Sequence, residues 1–321
     1  MSFGIIGLHH VTATVVDGKE DVPFYVGVLG LRLVKRTINF DDPSVWHLYY
    51  GDERGTPSTI MTTFPYGGKG VGPGVKGSGQ ITVTSFSVPV GSLGWWRRRL
   101  EGKGVGEVLE GSRFGAGVLR FRDPAGLGIE LVEEADDPRE PWTGGGGDPV
   151  ESEAALRGVH AVTLLMRDPE PSTRFLTEEL GAQVVDEEES PAGHRIRIEI
   201  GEGGPGAYFE ILHDPEAPRA VDGLGTVHHV AISVPGDGEQ VQARRALVEA
   251  GHYVTEVRDR QYFRSIYFRE PGGVLYEIAT AGPGFGIDED LASLGTELRL
   301  PTWEEPNRAA IEASLSPLIQ V

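Results

Sequence analysis

Two different segments of the chain recur at nearly constant spacing. The segment that begins Gly7-Leu-His-His-Val-Thr returns 151 residues later as Gly158-Val-His-Ala-Val-Thr. The segment Asp123-Pro-Ala-Gly-Leu-Gly-Ile-Glu returns 147 residues later as Glu270-Pro-Gly-Gly-Val-Leu-Tyr-Glu. Repeats of this size indicate that a small structural unit has been duplicated. The chain therefore divides into four modules in the order 1-2-1-2, near residues 7–66, 79–134, 158–214 and 226–281.

Each module has the pattern of one strand, one helix and two or three further strands. In the fourth module a helix at Val241–Glu249 precedes expected strands at Tyr253–Val257, Tyr262–Arg269 and Val274–Ala279. This is a βαβββ unit, so the fold class is α+β. We expect an N-terminal pair of modules in residues 1–150 and a C-terminal pair in residues 151–321, separated by the run Gly144–Gly147.

Charge and cysteine content exclude several classes of function. The 321 residues include 48 acidic against 29 basic side chains, a formal charge of −19 that disfavours nucleic acid and anionic membranes as partners. The absence of cysteine excludes disulfides and thiolate metal ligands. No stretch approaches about 18 apolar residues, and no signal peptide is evident, so we expect a cytoplasmic protein. A homo-oligomer is compatible with the sequence.

Two histidine pairs, His9-His10 and His228-His229, open apolar runs with the character of strands, and Glu277 closes another such run. Two imidazoles and one carboxylate are typical of metal sites that use nitrogen and oxygen ligands. Adjacent residues of a regular strand point to opposite faces. One histidine of each pair is therefore expected to bind metal, while the other lies at the strand end or across a bulge.

Several segments carry a family resemblance that covers nearly the whole chain. The repeats resemble the vicinal oxygen chelate superfamily, whose βαβββ modules pair into half-open barrels around a metal. Within it the chain is similar to the hydroquinone ring-cleaving dioxygenases. The segments concerned are Gly7-Leu-His-His-Val-Thr, Gly30-Leu-Arg-Leu-Val-Lys-Arg-Thr-Ile-Asn-Phe-Asp-Asp, Trp46-His-Leu-Tyr-Tyr-Gly-Asp-Glu-Arg-Gly-Thr-Pro, Gly91-Ser-Leu-Gly-Trp-Trp and Asp288-Glu-Asp-Leu-Ala-Ser-Leu-Gly.

The resemblance implies an iron(II) enzyme that inserts O2 into a small aromatic diol. Its metal ligands fall on His10, His229 and Glu277, between modules 1 and 4. Mn(II), Zn(II) or Ni(II) accept the same ligand types. The resemblance further implies proton transfer or substrate orientation by His9, His228 and Tyr267. Three further substrate-binding candidates have other grounds. Thr12 shares a strand face with His10, and Arg260 and Arg264 lie in a stretch that is shorter than in the hydroquinone enzymes, where an arginine would meet a charged or phenolic group.

The repeat also identifies a second, incomplete set of ligand positions. His160 aligns with His9, but Ala161 stands in the place of His10 and Val83 in the place of His229. Glu130 aligns with Glu277. We therefore expect the second site to bind no metal, and we interpret Glu130 and Glu210 as remnants of duplication. The remaining histidines are interpreted as surface or loop residues: His47, His194, His213 and His252.

Two alternatives to a dioxygenase follow from the same modules. A glyoxalase-type isomerase or lyase would use nickel or zinc without dioxygen. A binding protein would sequester an aromatic compound or an antibiotic without chemistry, although such proteins typically lack a full ligand triad. For His9, His228 and Tyr267 the alternative role is packing that fixes the ligand strands, and Thr12 also fits a structural role.

Overall fold

A computed structural model describes residues 3–144 and 148–319. Residues 145–147, which make up most of the glycine run expected to separate the two copies, lie outside the described residues. The strands form two eight-stranded sheets, and each sheet is assembled from one module of each half of the chain.

Modules 1 and 4 form the first sheet. Its strands, in spatial order, are β14 (Arg258–Asp259), β15 (Arg264–Arg269), β16 (Leu275–Thr280), β13 (Thr226–Val234), β1 (Gly7–Val15), β4 (Ile60–Pro65), β3 (Asp42–Gly51) and β2 (Arg32–Asn39). The first and last modules are thus joined at the centre of this sheet, where β1 and β13 run antiparallel.

Modules 2 and 3 form the second sheet in the same way. Its strands, in spatial order, are β10 (Gln183–Ser190), β11 (Gly193–Glu199), β12 (Tyr208–His213), β9 (Gly158–Met166), β5 (Gln80–Pro89), β8 (Gly128–Glu134), β7 (Ala116–Arg122) and β6 (Leu109–Arg113). The predicted α+β fold of paired modules is confirmed. The division of the chain at residue 150 stays a prediction, since each sheet combines both halves.

A helix follows the first strand of each module, as the repeat predicts. These helices are α1 (Gly18–Val22), which continues into a π-helical turn at Pro23–Val28, α2 (Leu93–Gly102), α3 (Glu170–Arg174), which continues into Phe175–Glu179, and α4 (Asp237–Glu249). A further helix, α5 (Arg308–Ser314), lies in the C-terminal segment. Short 3-10 turns lie at Phe285–Ile287, Leu291–Ser293 and Glu305–Asn307. Across residues 3–144 and 148–319, no helix has both the length and the apolar character needed to cross a membrane.

The strand predicted at Tyr253–Val257 is wrong. Of residues 253–259, Arg258 and Asp259 pair with β15, while the residues before them run beside β15 without forming a ladder. The Tyr267 amide donates to the Thr255 side chain at 3.0 Å instead of to a carbonyl, and Tyr253 is 88% exposed. A side-chain acceptor at this point interrupts the regular exchange of backbone hydrogen bonds.

The C-terminal segment crosses the outer strands of module 1. Lys35 on β2 is buried and pairs with Asp288, 2.6 Å away, and with Glu289. Phe285 packs against Tyr49 with ring centroids 4.9 Å apart. A buried ion pair and an aromatic contact therefore fasten this segment to the sheet that carries the histidine pairs.

Candidate metal centre and substrate cavity

Two β-bulges position the histidine pairs. In the pairing of β1 with β13, Leu8 lies opposite Ile232 and His10 opposite Ala231, so His9 has no partner in the ladder. On the other strand the register passes from His229 to Val227, which leaves His228 as the extra residue. The expectation that one histidine of each pair lies across a bulge is therefore correct at both pairs.

The bulges bring His10 and His229 together with Glu277 of β16. The Nε2 atoms of the two imidazoles are 3.2 Å apart. Glu277 Oε2 lies 2.9 Å from His229 Nε2 and 3.4 Å from His10 Nε2. All three side chains are buried, with at most 4% of each residue exposed. Three residues that are 219 and 48 positions apart in the sequence thus present their donor atoms to one point.

The donor set fits a divalent metal. Bonds of about 2.1 Å to three ligands at right angles require donor atoms about 3 Å apart, and the three separations are close to that value. Glu277 Oε2 is buried and faces the two imidazole Nε2 atoms, whereas Oε1 accepts from Ser265. When both Nε2 atoms are unprotonated, as metal ligands are, this buried carboxylate oxygen has no donor, which is costly, and a cation at this point would compensate it.

The electrostatics of the triad agree with this arrangement. Burial opposes ionisation of Glu277, but the neighbouring imidazoles of His10 and His229 outweigh it and hold the pKa of Glu277 well below its usual range. Burial is also the main cause that lowers the pKa of His229. An ionised Glu277 and a neutral His229 are the protonation states that metal binding requires of these two ligands.

The first histidine of each pair orients the second. The Nδ1 atoms of His9 and His10 are 2.9 Å apart, and those of His228 and His229 are 2.7 Å apart. Both contacts leave Nε2 of His10 and His229 directed at the common point. His9 is buried, and it also hydrogen-bonds the backbone of Thr280, whereas His228 is exposed to the cavity described next.

A cavity of about 320 Å³ opens above the triad. Its wall is largely aromatic, with polar groups at the rim. The lining residues outside the triad are Asn39, Phe40, Asp41, His47, Tyr49, Phe64, Tyr66, His228, Arg258, Arg260, Phe263, Tyr267 and Leu275. This volume is of the size that small organic ligands occupy.

Arg260 links the rim to the interior. Its Nε donates to Tyr267 Oη at 3.0 Å and its Nη2 to Asp41 Oδ2 at 2.7 Å. Because Tyr267 Oη accepts from Arg260, its own hydroxyl hydrogen remains to be donated to another partner. Burial, followed by the charge of Glu277, raises the pKa of Tyr267, so the phenol keeps that hydrogen.

The structure places two of the substrate-binding candidates elsewhere. Arg264 lies at the outer surface, where its guanidinium pairs with Asp237 at 2.5 Å. Thr12 faces the same side as His10, but its hydroxyl accepts from Thr62 at 2.9 Å and does not line the cavity. Arg264 turns outward because it follows Phe263, which occupies the inward position beside His9 and His10. Of the three candidates, only Arg260 reaches the cavity.

The interpretation of His47 as a surface or loop residue is wrong. His47 lies on β3 and lines the cavity beside Tyr49 and Phe64. The signal that identifies it is the alternation within Trp46-His-Leu-Tyr, which places residues 47 and 49 on one face of a strand. The sequence analysis did not identify Ser265, which donates to Glu277. The same alternation could have identified it, because Ser265 and Tyr267 share one face of β15.

In the second sheet a buried arginine, Arg113, lies in the region that corresponds to the triad of the first sheet. The register places Val83 opposite Thr163 and Ala161 opposite Ser85, as the repeat predicts. Arg113 is buried between the two carboxylates that remain, with a 2.8 Å bond to Glu210 and a second contact to Glu130. A guanidinium thus occupies the space between Glu130 and Glu210.

Comparison with known proteins places the chain in a family. The family model for the Glyoxalase/Bleomycin resistance protein/Dioxygenase superfamily matches residues 7–131 and 158–278. A candidate ring-cleaving dioxygenase of Bacillus subtilis, MhqE, is 42% identical over 314 residues, which are 97% of this chain and 99% of that protein. The chlorohydroquinone/hydroquinone 1,2-dioxygenase of Sphingobium indicum is 37% identical over 92% of this chain and 91% of its own.

Solved structures agree with the sequence comparison. The crystal structure of a candidate dioxygenase from Bacillus subtilis superimposes with a TM-score of 0.91, at 40% identity and with 99% of both chains covered. Glyoxalase I from Zea mays shares the fold, with a TM-score of 0.61 at 16% identity. This chain is a member of the Glyoxalase/Bleomycin resistance protein/Dioxygenase superfamily.

Proposed function

We propose that this protein is an iron(II)-dependent dioxygenase that cleaves the ring of a hydroquinone-like diol and inserts both atoms of O2. The observation that carries the proposal is the convergence of His10, His229 and Glu277 at the floor of an aromatic cavity of about 320 Å³. The similarity to the hydroquinone 1,2-dioxygenase of Sphingobium indicum over 92% of the chain supports it.

His10, His229 and Glu277 would hold the metal at the floor of the cavity. Iron(II) bound there supplies a site at which a diol oxygen and dioxygen are activated together. Zinc has no redox chemistry and suits the isomerase alternative instead. The ligand types alone admit both metals, so the choice of iron depends on the similarity to dioxygenases.

His228 is the histidine that faces the substrate. When His229 binds a metal through Nε2, its proton resides on Nδ1 and is donated to His228 Nδ1 across 2.7 Å. His228 then carries its own proton on Nε2. In this tautomer His228 donates a hydrogen bond to a phenolate oxygen, and His9, which is buried and bonded on both sides, has a positioning role.

Tyr267 and Arg260 contribute a second set of polar groups to the cavity. Tyr267 donates its hydroxyl hydrogen into the cavity, because Arg260 occupies its oxygen. Between the polar groups, Phe40, Phe64 and Phe263 present apolar surface to an aromatic ring. This surface favours a planar aromatic ligand and excludes water from the site.

Oxygen uptake distinguishes this proposal from its two rivals. The protein is loaded anaerobically with iron(II), and oxygen consumption is recorded with hydroquinones and catechols, with the zinc-loaded protein as the control. We expect stoichiometric uptake with a hydroquinone and none with zinc. Absence of oxygen uptake with every diol would exclude a dioxygenase. In that case, diol binding without a reaction would favour a binding protein, and conversion of a glyoxalase substrate would favour an isomerase.

A further inference from the structure

His47 and Tyr49 form a hydrogen-bonded pair in the wall of the cavity. They are two residues apart on β3 and therefore share a face of the sheet. Their ring centroids are 4.0 Å apart, and Tyr49 Oη lies 2.9 Å from His47 Nδ1. Both residues line the same cavity as the triad. The pair belongs to neither the metal ligands nor the histidine pairs.

The contacts behind this pair fix the direction of its hydrogen bonds. Thr62 Oγ1 donates its one hydrogen to Thr12 Oγ1 at 2.9 Å, so it accepts from His47 Nε2, which is also 2.9 Å away. His47 therefore carries its proton on Nε2, and its Nδ1 accepts from Tyr49. Because Tyr49 donates its hydroxyl hydrogen to His47, its oxygen can only accept a hydrogen bond from a ligand in the cavity.

The register of the sheet places this acceptor across from the metal ligands. Thr12 pairs with His229 on one side and with Thr62 on the other, and Thr62 pairs with Tyr49. His229 and Tyr49 thus stand three strand spacings apart, or about 14 Å between backbones. The two residues between them, Thr12 and Thr62, are buried beneath the cavity wall. Because the triad and Tyr49 line the same cavity, a ligand held at the triad can extend within it toward Tyr49.

Neither member of the pair is suited to carry a charge. Burial raises the pKa of Tyr49 well above its usual range, with Tyr262 as the next cause. Burial also lowers the pKa of His47 well below its usual range, with His10 as the next cause. A neutral imidazole accepts the hydrogen of Tyr49, and the oxygen of the neutral phenol accepts a hydrogen bond from a ligand without removing its proton.

We propose that Tyr49, oriented by His47, accepts a hydrogen bond from the hydroxyl that lies far from the metal when a para-diol is bound. A para-diol has its two hydroxyl groups at opposite ends of the ring, whereas a catechol has them side by side and presents none to Tyr49. The pair thereby recognises the para arrangement. This inference rests on the proposed function, because it assumes that one diol oxygen binds at the triad.

Comparing the affinities of three ligands in the wild type and in variants tests the proposal without turnover. Dissociation constants are measured anaerobically with iron(II)-loaded protein for hydroquinone, phenol and 4-methoxyphenol. In the wild type hydroquinone binds more tightly than phenol, and in Tyr49→Phe that advantage falls about 3- to 10-fold, the value of one neutral hydrogen bond. The ratio of 4-methoxyphenol to phenol stays unchanged in Tyr49→Phe, because a methoxy group has no hydrogen to donate.

Tyr50→Phe is the matched control. Tyr50 is the next residue on β3 but faces the other side of the sheet, where it stacks on Tyr25 with centroids 4.7 Å apart. It should leave the hydroquinone-to-phenol ratio as in the wild type. His47→Leu should lower the ratio as Tyr49→Phe does, and His47→Gln should restore part of it through the amide oxygen.

Two results would overturn the proposal. One is an unchanged hydroquinone-to-phenol ratio in Tyr49→Phe. The other is an equal fall in the affinity for 4-methoxyphenol relative to phenol in Tyr49→Phe, which would show that Tyr49 donates the hydrogen bond instead of accepting it. Either result can be obtained with a protein that still consumes oxygen with hydroquinone, so this inference can fail while the proposed function stands. If no diol supports oxygen uptake, the proposed function fails by its own assay.

Discussion

His228 Nδ1 lies 2.7 Å from His229 Nδ1, and this contact joins the residue that faces the cavity to a candidate metal ligand. Because partners of a ligating imidazole fix its tautomer, we expect His228→Ala to weaken iron(II) binding by roughly 10- to 100-fold. Competition with a chelator measures the affinity. His194→Ala, at an exposed site bonded to Glu189, is the control, and equal affinities in both variants would contradict the orienting role.

Glu277→Ala should abolish stoichiometric iron binding. Removing the carboxylate leaves two neutral imidazoles, and the iron content after anaerobic loading and desalting should fall from about one atom per chain to below about a tenth. Metal analysis of the desalted protein checks this. Full iron content in the Glu277→Ala protein would refute the assigned site.

Glu130→Ala provides the matched comparison at the equivalent position of the second sheet. Its carboxylate contacts buried Arg113 and accepts from Arg120 at 2.7 Å. Its loss leaves a buried guanidinium partly uncompensated, which costs about 3 kcal/mol of unfolding free energy. We expect normal iron content with lower stability in urea unfolding. Loss of iron from this variant would show that the two sites are not independent.

Arg260 and Arg264 should differ sharply in their effect on turnover, although only three residues separate them. Arg260→Ala leaves Tyr267 free to turn its hydroxyl away from the cavity, and we expect kcat/KM for hydroquinone to fall by roughly 10- to 100-fold. Arg264→Ala removes a surface pair with Asp237 and should stay within about twofold of the wild type. Steady-state oxygen uptake compares them, and similar losses in both would contradict this placement.

Asp123 should make stability depend on pH. Burial raises its pKa from the ordinary 3.8 to about 6, against the hydrogen bonds from Leu127 and Tyr25. The stability gained by keeping the acid protonated is present below pH 3.8 and is lost as the pH rises through 6. Asp123→Asn cannot ionise, so its unfolding free energy relative to the wild type should rise by up to about 3 kcal/mol between pH 4 and 8. Urea unfolding of metal-free protein checks this, and a difference independent of pH would contradict it.

The family resemblance predicted that His10, His229 and Glu277 of modules 1 and 4 come together, and the repeats were sufficient to predict the modules and to support the choice of the second histidine of each pair. They were sufficient because a duplicated unit can be compared with itself: Ala161 and Val83 mark the two positions at which an imidazole is missing from the second copy. The spacing within a strand then explains why His9 and His228 need bulges.

The cavity wall could not be predicted in the same way. Tyr49, His47 and Asp41 come from module 1, while Arg260 and Phe263 come from module 4, and their proximity depends on how far the sheet curls. The outward turn of Arg264 depends on which neighbour takes the inward position. The strand predicted at Tyr253–Val257 does not form because the Thr255 hydroxyl, instead of a backbone carbonyl, accepts from the Tyr267 amide. Strand propensity does not reveal such a side-chain acceptor.

Isotope labelling determines whether both atoms of O2 enter the ring-opened product. Iron(II)-loaded protein is mixed with hydroquinone under ¹⁸O₂, and the product is analysed by mass spectrometry together with the oxygen consumed. We expect one O2 to be consumed for each hydroquinone and a ring-opened product that contains both labelled atoms. Oxygen consumption that yields benzoquinone and labelled hydrogen peroxide, with no label in an organic product, would contradict it.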